Sequence, residues 1–215
     1  MVKVKICGVT EPEHAIAAAE AGADFVGLMF AASKRKLTHQ KACAIAQAVG
    51  KLPGAHPKLV GVFADQDVGF LNETAREVGL DLVQLSGNEP LDGLNMLKTG
   101  AIKVVHVGPG STVEVIAKEL TALRERGATT MLDTRVAGSH GGSGIAFDWK
   151  IASTLSGEFE FLLAGGLTPE NVAKAVVEAR PWGVDVSSGV ESNGTKDLGK
   201  IRAFVRAARM AEVTK

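Results

Sequence analysis

The chain contains 215 residues, and its 24 lysines and arginines balance 24 aspartates and glutamates. Zero net charge argues against a broad basic surface for nucleic acids or anionic membranes, so we expect any bound anion to be small and held locally. Apolar residues make up 46% of the chain, which favours a folded protein with a buried sheet over a disordered or fibrous one.

Short apolar strands alternate with helical patterns from one end of the chain to the other. Eight segments have the composition of buried strands: Val2–Ile6, Phe25–Phe30, Leu59–Phe63, Leu82–Leu85, Ile102–His106, Thr129–Leu132, Phe159–Ala164 and Val184–Ser187. Spacing of about 3.6 residues predicts helices over Glu11–Ala21, His39–Val49, Val68–Val78, Leu91–Lys98, Thr112–Arg126, Phe147–Thr154, Pro169–Ala179 and Lys196–Ala211.

Several helix ends carry residues that commonly start or stop helices. The segment Thr10–Glu13 predicts a capping box with proline at the first helical position, and Thr168-Pro169 repeats the pattern. Asp148 is expected to cap the helix that follows it. Left-handed caps are expected at four helix C-termini: Gly22, Gly50, Gly79 and Gly127.

Strands that alternate with helices predict parallel pairing with right-handed crossovers. Eight units of roughly 27 residues fit a closed (β/α)8 barrel, the TIM barrel, as one domain over residues 1–215. A doubly wound open sheet is the alternative, but its glycine fingerprint is absent after the first strand. In a closed barrel, the chemistry lies in the loops at the C-terminal ends of the strands.

The first strand ends in a cysteine that is followed at once by glycine. Its apolar positions 2, 4 and 6 share the face that we expect to pack against helices, so Lys3, Lys5 and Cys7 point into the barrel. Cys7 then lies at the catalytic rim, and Gly8 leaves space above it. The alternative is a small buried thiol that packs as a hydrophobic residue.

Asp133 ends the sixth strand and precedes the long glycine-rich loop RVAGSHGGSG. A role as a turn former is the alternative to a role in the site. Because a loop and not a helix follows directly, a capping role is disfavoured and we predict that Asp133 belongs to the site.

Glycine-rich turns follow the last two predicted strands. Backbone N–H groups exposed at such turns and at helix starts bind phosphate, and the loops after strands seven and eight are the usual phosphate site of this barrel. Each turn alone is also compatible with a tight turn, but the two together predict a phosphate cradle. It comprises Gly165, Gly166, Ser187, Ser188 and Gly189.

Charged residues near other strand ends are open to two interpretations. The basic run that contains Arg35 is either a solvated surface or the source of a planar guanidinium for a substrate carboxylate. Lys5 and Asp185 lie on strands that a closed barrel makes neighbours, so we expect a buried, structural ion pair.

The remaining features exclude several classes of protein. The five histidines form no metal-ligand pattern, although His106 lies near a strand end and is a candidate to face the pocket. Cys7 and Cys43 are too few for a disulfide framework and fit a reducing compartment. No signal peptide or membrane-spanning run is visible. We therefore expect a cytoplasmic protein with no metal and with neither a nucleic-acid nor a membrane partner.

Seven motifs follow one another along the chain: VKICGVT, GADFVGLMFAASKRKLT, LVGVFAD, VQLSGNEP, MLDTRVAGSHGGSGIAFDW, LAGGLTPENV and VDVSSGVE. In this order and spacing they make the chain resemble the phosphoribosylanthranilate isomerase family of tryptophan biosynthesis over nearly its whole length. One departure is Ser86 in QLSG, where the family commonly has histidine; it affects the expected pocket shape and not the reaction.

The resemblance implies a cofactor-independent Amadori rearrangement of the phosphosugar N-(5′-phosphoribosyl)anthranilate to 1-(2-carboxyphenylamino)-1-deoxyribulose 5-phosphate, by a monomer or a homodimer. It implies Cys7 as general base, Asp133 as general acid and Arg35 as the contact to the anthranilate. It also implies that the phosphate is held by Gly165, Gly166, Ser188 and Gly189.

The two proton-transfer roles place opposite demands on their residues. A free thiol has a pKa of about 8.5 and a free aspartate one of about 3.9. We expect Lys5 and the N–H groups of the first helix to increase the thiolate fraction of Cys7. Asp133 must be kept protonated by burial or by nearby negative charge, such as that of the substrate.

Two other functions remain open at this point. A histidine-pathway aminoaldose isomerase, or a barrel that accepts both substrates, would use two aspartates, whereas here the first strand ends in Cys7. A barrel that only binds a phosphosugar would not need both Cys7 and Asp133.

Overall fold

The computed structural model describes residues 1–108, 110–133 and 149–211. Eight parallel strands pair in chain order and close into a barrel, which confirms the predicted TIM barrel and excludes the open sheet. The strands are β1 Lys3–Cys7, β2 Phe25–Met29, β3 Lys58–Phe63, β4 Leu82–Leu85, β5 Gly100–His106, β6 Thr129–Asp133, β7 Phe161–Ala164 and β8 Gly183–Val186.

Helices surround this barrel. In the described ranges they are α1 Pro12–Glu20, α2 His39–Gly50, α3 Val68–Val78, α4 Val113–Glu125, α5 Trp149–Leu155, α6 Val172–Ala179 and α7 Leu198–Met210. Two 3₁₀ helices, Leu91–Met96 and Ser188–Val190, follow β4 and β8, and a short hairpin of β9 Glu191–Ser192 and β10 Thr195–Lys196 precedes α7. None of the helices among the described residues has the length and apolar character needed to cross a membrane.

Two predicted helix starts are wrong in detail. Helix α1 has Pro12 in its first turn as predicted, but its N-cap residue is Glu11 and no side chain caps it. Helix α6 begins three residues later than predicted, because Asn171 Oδ1 accepts the N–H of Thr168 at 2.8 Å and forms a turn there. Local turn chemistry therefore overrides the Thr-Pro signal.

The glycine caps are largely as predicted. Gly79 caps α3 with φ of 76°, and Gly22 and Gly127 adopt φ of 88° and 70° directly after α1 and α4 have ended. Gly50 is the exception, since it is the last residue of α2 and not a left-handed cap. Asp148 and the glycines at 141–144 lie outside the described residues.

Apolar side chains form two separate clusters on the two faces of the sheet. Val4 and Ile6 are fully buried in the outer cluster, between the strands and the helices, as the alternation of β1 predicts. The inner cluster fills the barrel and consists of Phe25, Val60, Ile102, Val104, Met131, Leu162 and Ala164. The barrel interior is thus packed, and a site is possible only at its rim.

A buried ion pair joins β1 to β8 inside the barrel. Lys5 lies opposite Asp185 in the strand register, and its Nζ donates to Asp185 Oδ1 at 2.8 Å. Lys5 is fully buried, which confirms the predicted pair. Two residues earlier, Lys3 pairs with Asp24 at 2.9 Å, but its side chain is 42% exposed.

The same substitution at these two lysines should have very different effects on stability. Lys5→Ala leaves the Asp185 carboxylate without its buried partner and should lower the free energy of unfolding by about 3–5 kcal/mol. Lys3→Ala removes a partly exposed pair and should cost at most about 1 kcal/mol. Urea unfolding of both variants measures the difference, and equal losses would show that the buried pair contributes no more than an exposed one.

Candidate active site

A cavity of about 360 Å³ opens at the C-terminal end of the barrel. It is lined by the last residues of several strands and by the loops that follow them, as the fold predicts. The structure brings together all eight residues that the sequence predicted for the site: Cys7, Arg35, Asp133, Gly165, Gly166, Ser187, Ser188 and Gly189.

Cys7 is the last residue of β1, and its thiol shares a confined space with Lys5. A Cβ atom at Gly27, on the neighbouring strand, would lie 2.8 Å from Cys7 Sγ and 3.2 Å from Lys5 Nζ. Glycine at this position therefore leaves the space that the thiol and the ammonium group occupy.

Burial raises the pKa of the Cys7 thiol above that of an exposed cysteine, and Asp185 adds to this effect. Lys5 and Lys196 act in the opposite direction but do not outweigh burial. Lys5 therefore favours the thiolate of Cys7, as the sequence predicted, but desolvation of the thiolate is the larger effect and the net pKa is raised.

Asp133 is the last residue of β6 and is buried. It lies far from Cys7 in the sequence, yet both residues line the same cavity. Its neighbour in the strand register is His106 of β5. His106 Nδ1 lies 4.0 Å from Asp133 Oδ2, and Nε2 lies 3.0 Å from the carbonyl oxygen of Ser86. His106 is exposed and lies beside Asp133 at the rim, outside the lining of the cavity.

The loops after β7 and β8 pack closely on each other. Gly165 and Gly166 adopt φ of 100° and 65°, a conformation that residues with a side chain rarely adopt. A Cβ atom at Gly189 would overlap the carbonyl oxygen of Leu167. Glycine at these positions is therefore required for the backbone of both loops to approach the cavity.

The structure reveals a partner of Arg35 that the sequence interpretation missed. Arg35 Nε and Nη2 donate to the two carboxylate oxygens of Glu191 at 2.6 and 2.9 Å. Lys196 Nζ donates to the same carboxylate at 2.9 Å and to the carbonyl oxygen of Ser187 at 2.8 Å. Although burial opposes ionisation, these donors lower the pKa of Glu191 to about 2. The only sequence signal was the acidic residue that ends the motif VDVSSGVE.

Metal binding finds no support in the part of the chain that the structure covers. Among its histidine, cysteine, aspartate and glutamate side chains, no group of three is placed to hold an ion.

The closed barrel and its rim cavity define the class: the chain has the architecture of a (β/α)8-barrel enzyme with its site at the C-terminal end of the strands. The family model described as N-(5′-phosphoribosyl)anthranilate isomerase matches residues 4–207. The chain therefore belongs to the N-(5′-phosphoribosyl)anthranilate isomerase family, as the motifs predicted, and the prediction of an isomerase is confirmed.

Similar proteins support this assignment over the whole chain. The N-(5′-phosphoribosyl)anthranilate isomerase of Dehalococcoides mccartyi is 44% identical, and the alignment covers 99% of this chain and 98% of that protein. The structure of phosphoribosyl anthranilate isomerase from Thermotoga maritima has a TM-score of 0.84 at 37% identity, with coverage of 98% and 100%. A phosphoribosyl anthranilate isomerase in complex with reduced 1-(o-carboxyphenylamino)-1-deoxyribulose 5-phosphate has a TM-score of 0.81 at 35% identity, with the same coverage.

The pKa of the Cys7 thiol can be measured directly. In a Cys43→Ser background, thiolate absorbance should titrate with a midpoint above that of an exposed cysteine, because burial raises the pKa. Lys5→Met should move the midpoint further up, since the lost ammonium group favours the thiolate. The control Lys3→Met should leave it unchanged, and a midpoint below that of an exposed cysteine would contradict this description of the site.

Proposed function

We propose that this chain converts N-(5′-phosphoribosyl)anthranilate to 1-(2-carboxyphenylamino)-1-deoxyribulose 5-phosphate, with Cys7 as general base and Asp133 as general acid. The observation that carries the proposal is that these two residues, from β1 and β6, line one cavity together with the glycine-rich loops after β7 and β8. We further propose a single catalytic domain that needs no cofactor and works in the cytoplasm as a monomer or a homodimer.

The reaction needs two proton transfers in sequence. Asp133 gives a proton to the furanose ring oxygen, and the bond from this oxygen to C1′ breaks as the anilino nitrogen forms a Schiff base. The Cys7 thiolate then removes the proton from C2′, and the electron pair of that bond forms the enolamine. The enolamine tautomerises to the ketone, while the proton on Cys7 and the proton missing from Asp133 are exchanged with solvent. Each positioned acid or base contributes roughly 10²–10⁴-fold to the rate.

A raised thiol pKa is compatible with this role. It lowers the thiolate fraction near neutral pH, but a thiolate with a higher pKa is also a stronger base toward carbon-bound hydrogen. The cations Lys5 and Lys196 are both close enough to favour the thiolate once it forms. The phosphate loops would hold the far end of the sugar, which positions C2′ between the two reacting groups.

The site also favours this substrate over the aminoaldose of the histidine pathway. An acid–base pair of two aspartates would need a carboxyl at the end of β1, where the structure has a thiol. Asp185 is a carboxyl close enough to act on the Cys7 thiol, but Lys5 already engages it in a buried pair.

Removal of either proposed proton-transfer group should abolish most of the activity. Cys7→Ala and Asp133→Ala should each lower kcat by at least ~10²-fold with little change in KM, because neither group is proposed to supply binding energy. A fluorescence assay with freshly prepared N-(5′-phosphoribosyl)anthranilate measures both constants. Cys43→Ala is the matched control and should be fully active. A variant with a near-normal rate would remove that residue from its proposed role.

The phosphate loops should tolerate no side chain at Gly189. In Gly189→Ala the new methyl group must displace the Leu167 carbonyl, which separates the two loops and should raise KM by roughly tenfold or more, the equivalent of one or two lost hydrogen bonds. Gly108→Ala is the control, because a Cβ there meets no atom of the described residues within 4 Å. Unchanged KM in Gly189→Ala would argue against these loops as the phosphate site.

A further inference from the structure

The guanidinium group of Arg35 is held by one edge only. Its Nε and Nη2 atoms form two parallel hydrogen bonds with the Glu191 carboxylate. A guanidinium group has five N–H donors in a fixed plane, so this contact uses two and leaves three. Two of them, one on Nη1 and one on Nη2, form the end edge of the guanidinium group, and the third, also on Nη1, points away from Glu191. None of the three has a hydrogen-bond partner among the described residues.

Arg35 is also packed directly beside the catalytic strand. Gly8 follows Cys7 and has φ of 71°, and a Cβ atom there would lie 2.6 Å from Arg35 Cδ and 3.1 Å from Ser187 Oγ. The stem of Arg35 therefore crosses the rim next to the thiol, and its side chain is only 17% exposed.

Glu191 is itself held in place by two lysine side chains. Its side chain is 7% exposed, Lys196 Nζ shares its carboxylate, and Lys200 Nζ donates to its backbone oxygen at 2.8 Å. Lys196 further bonds the carbonyl oxygen of Ser187 in the loop after β8. The side chain of Arg35 is thus oriented by Glu191 of the β9–β10 hairpin, which lies far from Arg35 in the chain.

The charges at this wall of the cavity do not balance. The side chains of Arg35 and Lys196 are 17% and 1% exposed, and they share the single carboxylate of Glu191. The exposed ammonium group of Lys34 lies 3.6 Å from the same carboxylate, but solvent screens it and it adds little to this charge. A residual positive charge in a poorly solvated wall favours an anionic group of the ligand, and the free end of the guanidinium fork matches the two oxygens of a carboxylate.

We propose that Glu191 is a positioning residue that determines specificity for a carboxylated aryl amine. By holding the side edge of Arg35, it presents the end edge to the carboxylate on the aromatic ring of the substrate. This inference rests on the proposed function, because it deepens the role of Arg35 in that reaction.

The test compares two substrates on the same enzyme samples. One is N-(5′-phosphoribosyl)anthranilate, and the other is the phosphoribosyl adduct of aniline, which lacks the carboxylate. The quantity measured is the ratio of their kcat/KM values for the wild type, Glu191→Gln, Arg35→Ala, the double variant and the control Lys34→Ala. A partly folded sample lowers both values equally, so the ratio does not depend on how much of a variant is folded.

The wild type should prefer the carboxylated substrate by about 10²-fold or more. Glu191→Gln should reduce this preference by at least ~10-fold, because an amide cannot accept both hydrogen bonds of the fork. The double variant should match Arg35→Ala alone, since the two residues act as a unit. Lys34→Ala should stay within about twofold of the wild type, since exposed pairs contribute little.

The outcomes separate the two proposals. A wild type that fails to convert phosphoribosylanthranilate would contradict the proposed function itself. An active Glu191→Gln variant that keeps the wild-type ratio, or a double variant whose ratio falls well below that of Arg35→Ala, would overturn the positioning role alone.

Discussion

Closure of the sheet by the pairing of β1 with β8 is the constraint on which the site depends. It brings the first and last strands into register, so that Lys5 lies opposite Asp185. Because a packed interior cannot solvate either charge, the two must pair. Two residues further along each strand, on the same inward face, the chain reaches Cys7 and Ser187 at the rim. A proposed base from the start of the chain and a proposed phosphate loop from its end therefore meet in one cavity.

The burial that stabilises the barrel also opposes ionisation of the Cys7 thiol in the site. The thiol of Cys7 lies among groups that pull its pKa in opposite directions, and desolvation is the stronger effect. The nearby cations Lys5 and Lys196 limit this effect without cancelling it. Because the protein is neutral overall, the positive charge of Arg35 and Lys196 beside the cavity is a local feature. Such local charge suits a small anionic ligand and not a polyanion.

The sequence predicts the barrel, and it predicts which of its named residues line the rim cavity, because both depend on local patterns. Strand alternation places Cys7 inward, and loop composition identifies Gly165 and Gly189. It fails in detail at the start of α6, where a local turn formed by Asn171 replaces the predicted cap, and at the thiol, where burial outweighs the nearby Lys5. Glu191 was missed for a different reason, since its partner Arg35 lies 156 residues away in the chain and only the closed fold brings them together.

The most direct test of the account is a crystal structure of this protein with the reduced product analogue bound. The account predicts that Cys7 Sγ lies against the sugar carbon C2′, and that the Asp133 carboxyl lies within about 2.6–3.2 Å of the former ring oxygen. The phosphate should lie on the loops after β7 and β8. A ligand bound with C2′ turned away from the thiol, or with Asp133 out of reach of the sugar oxygen, would contradict it.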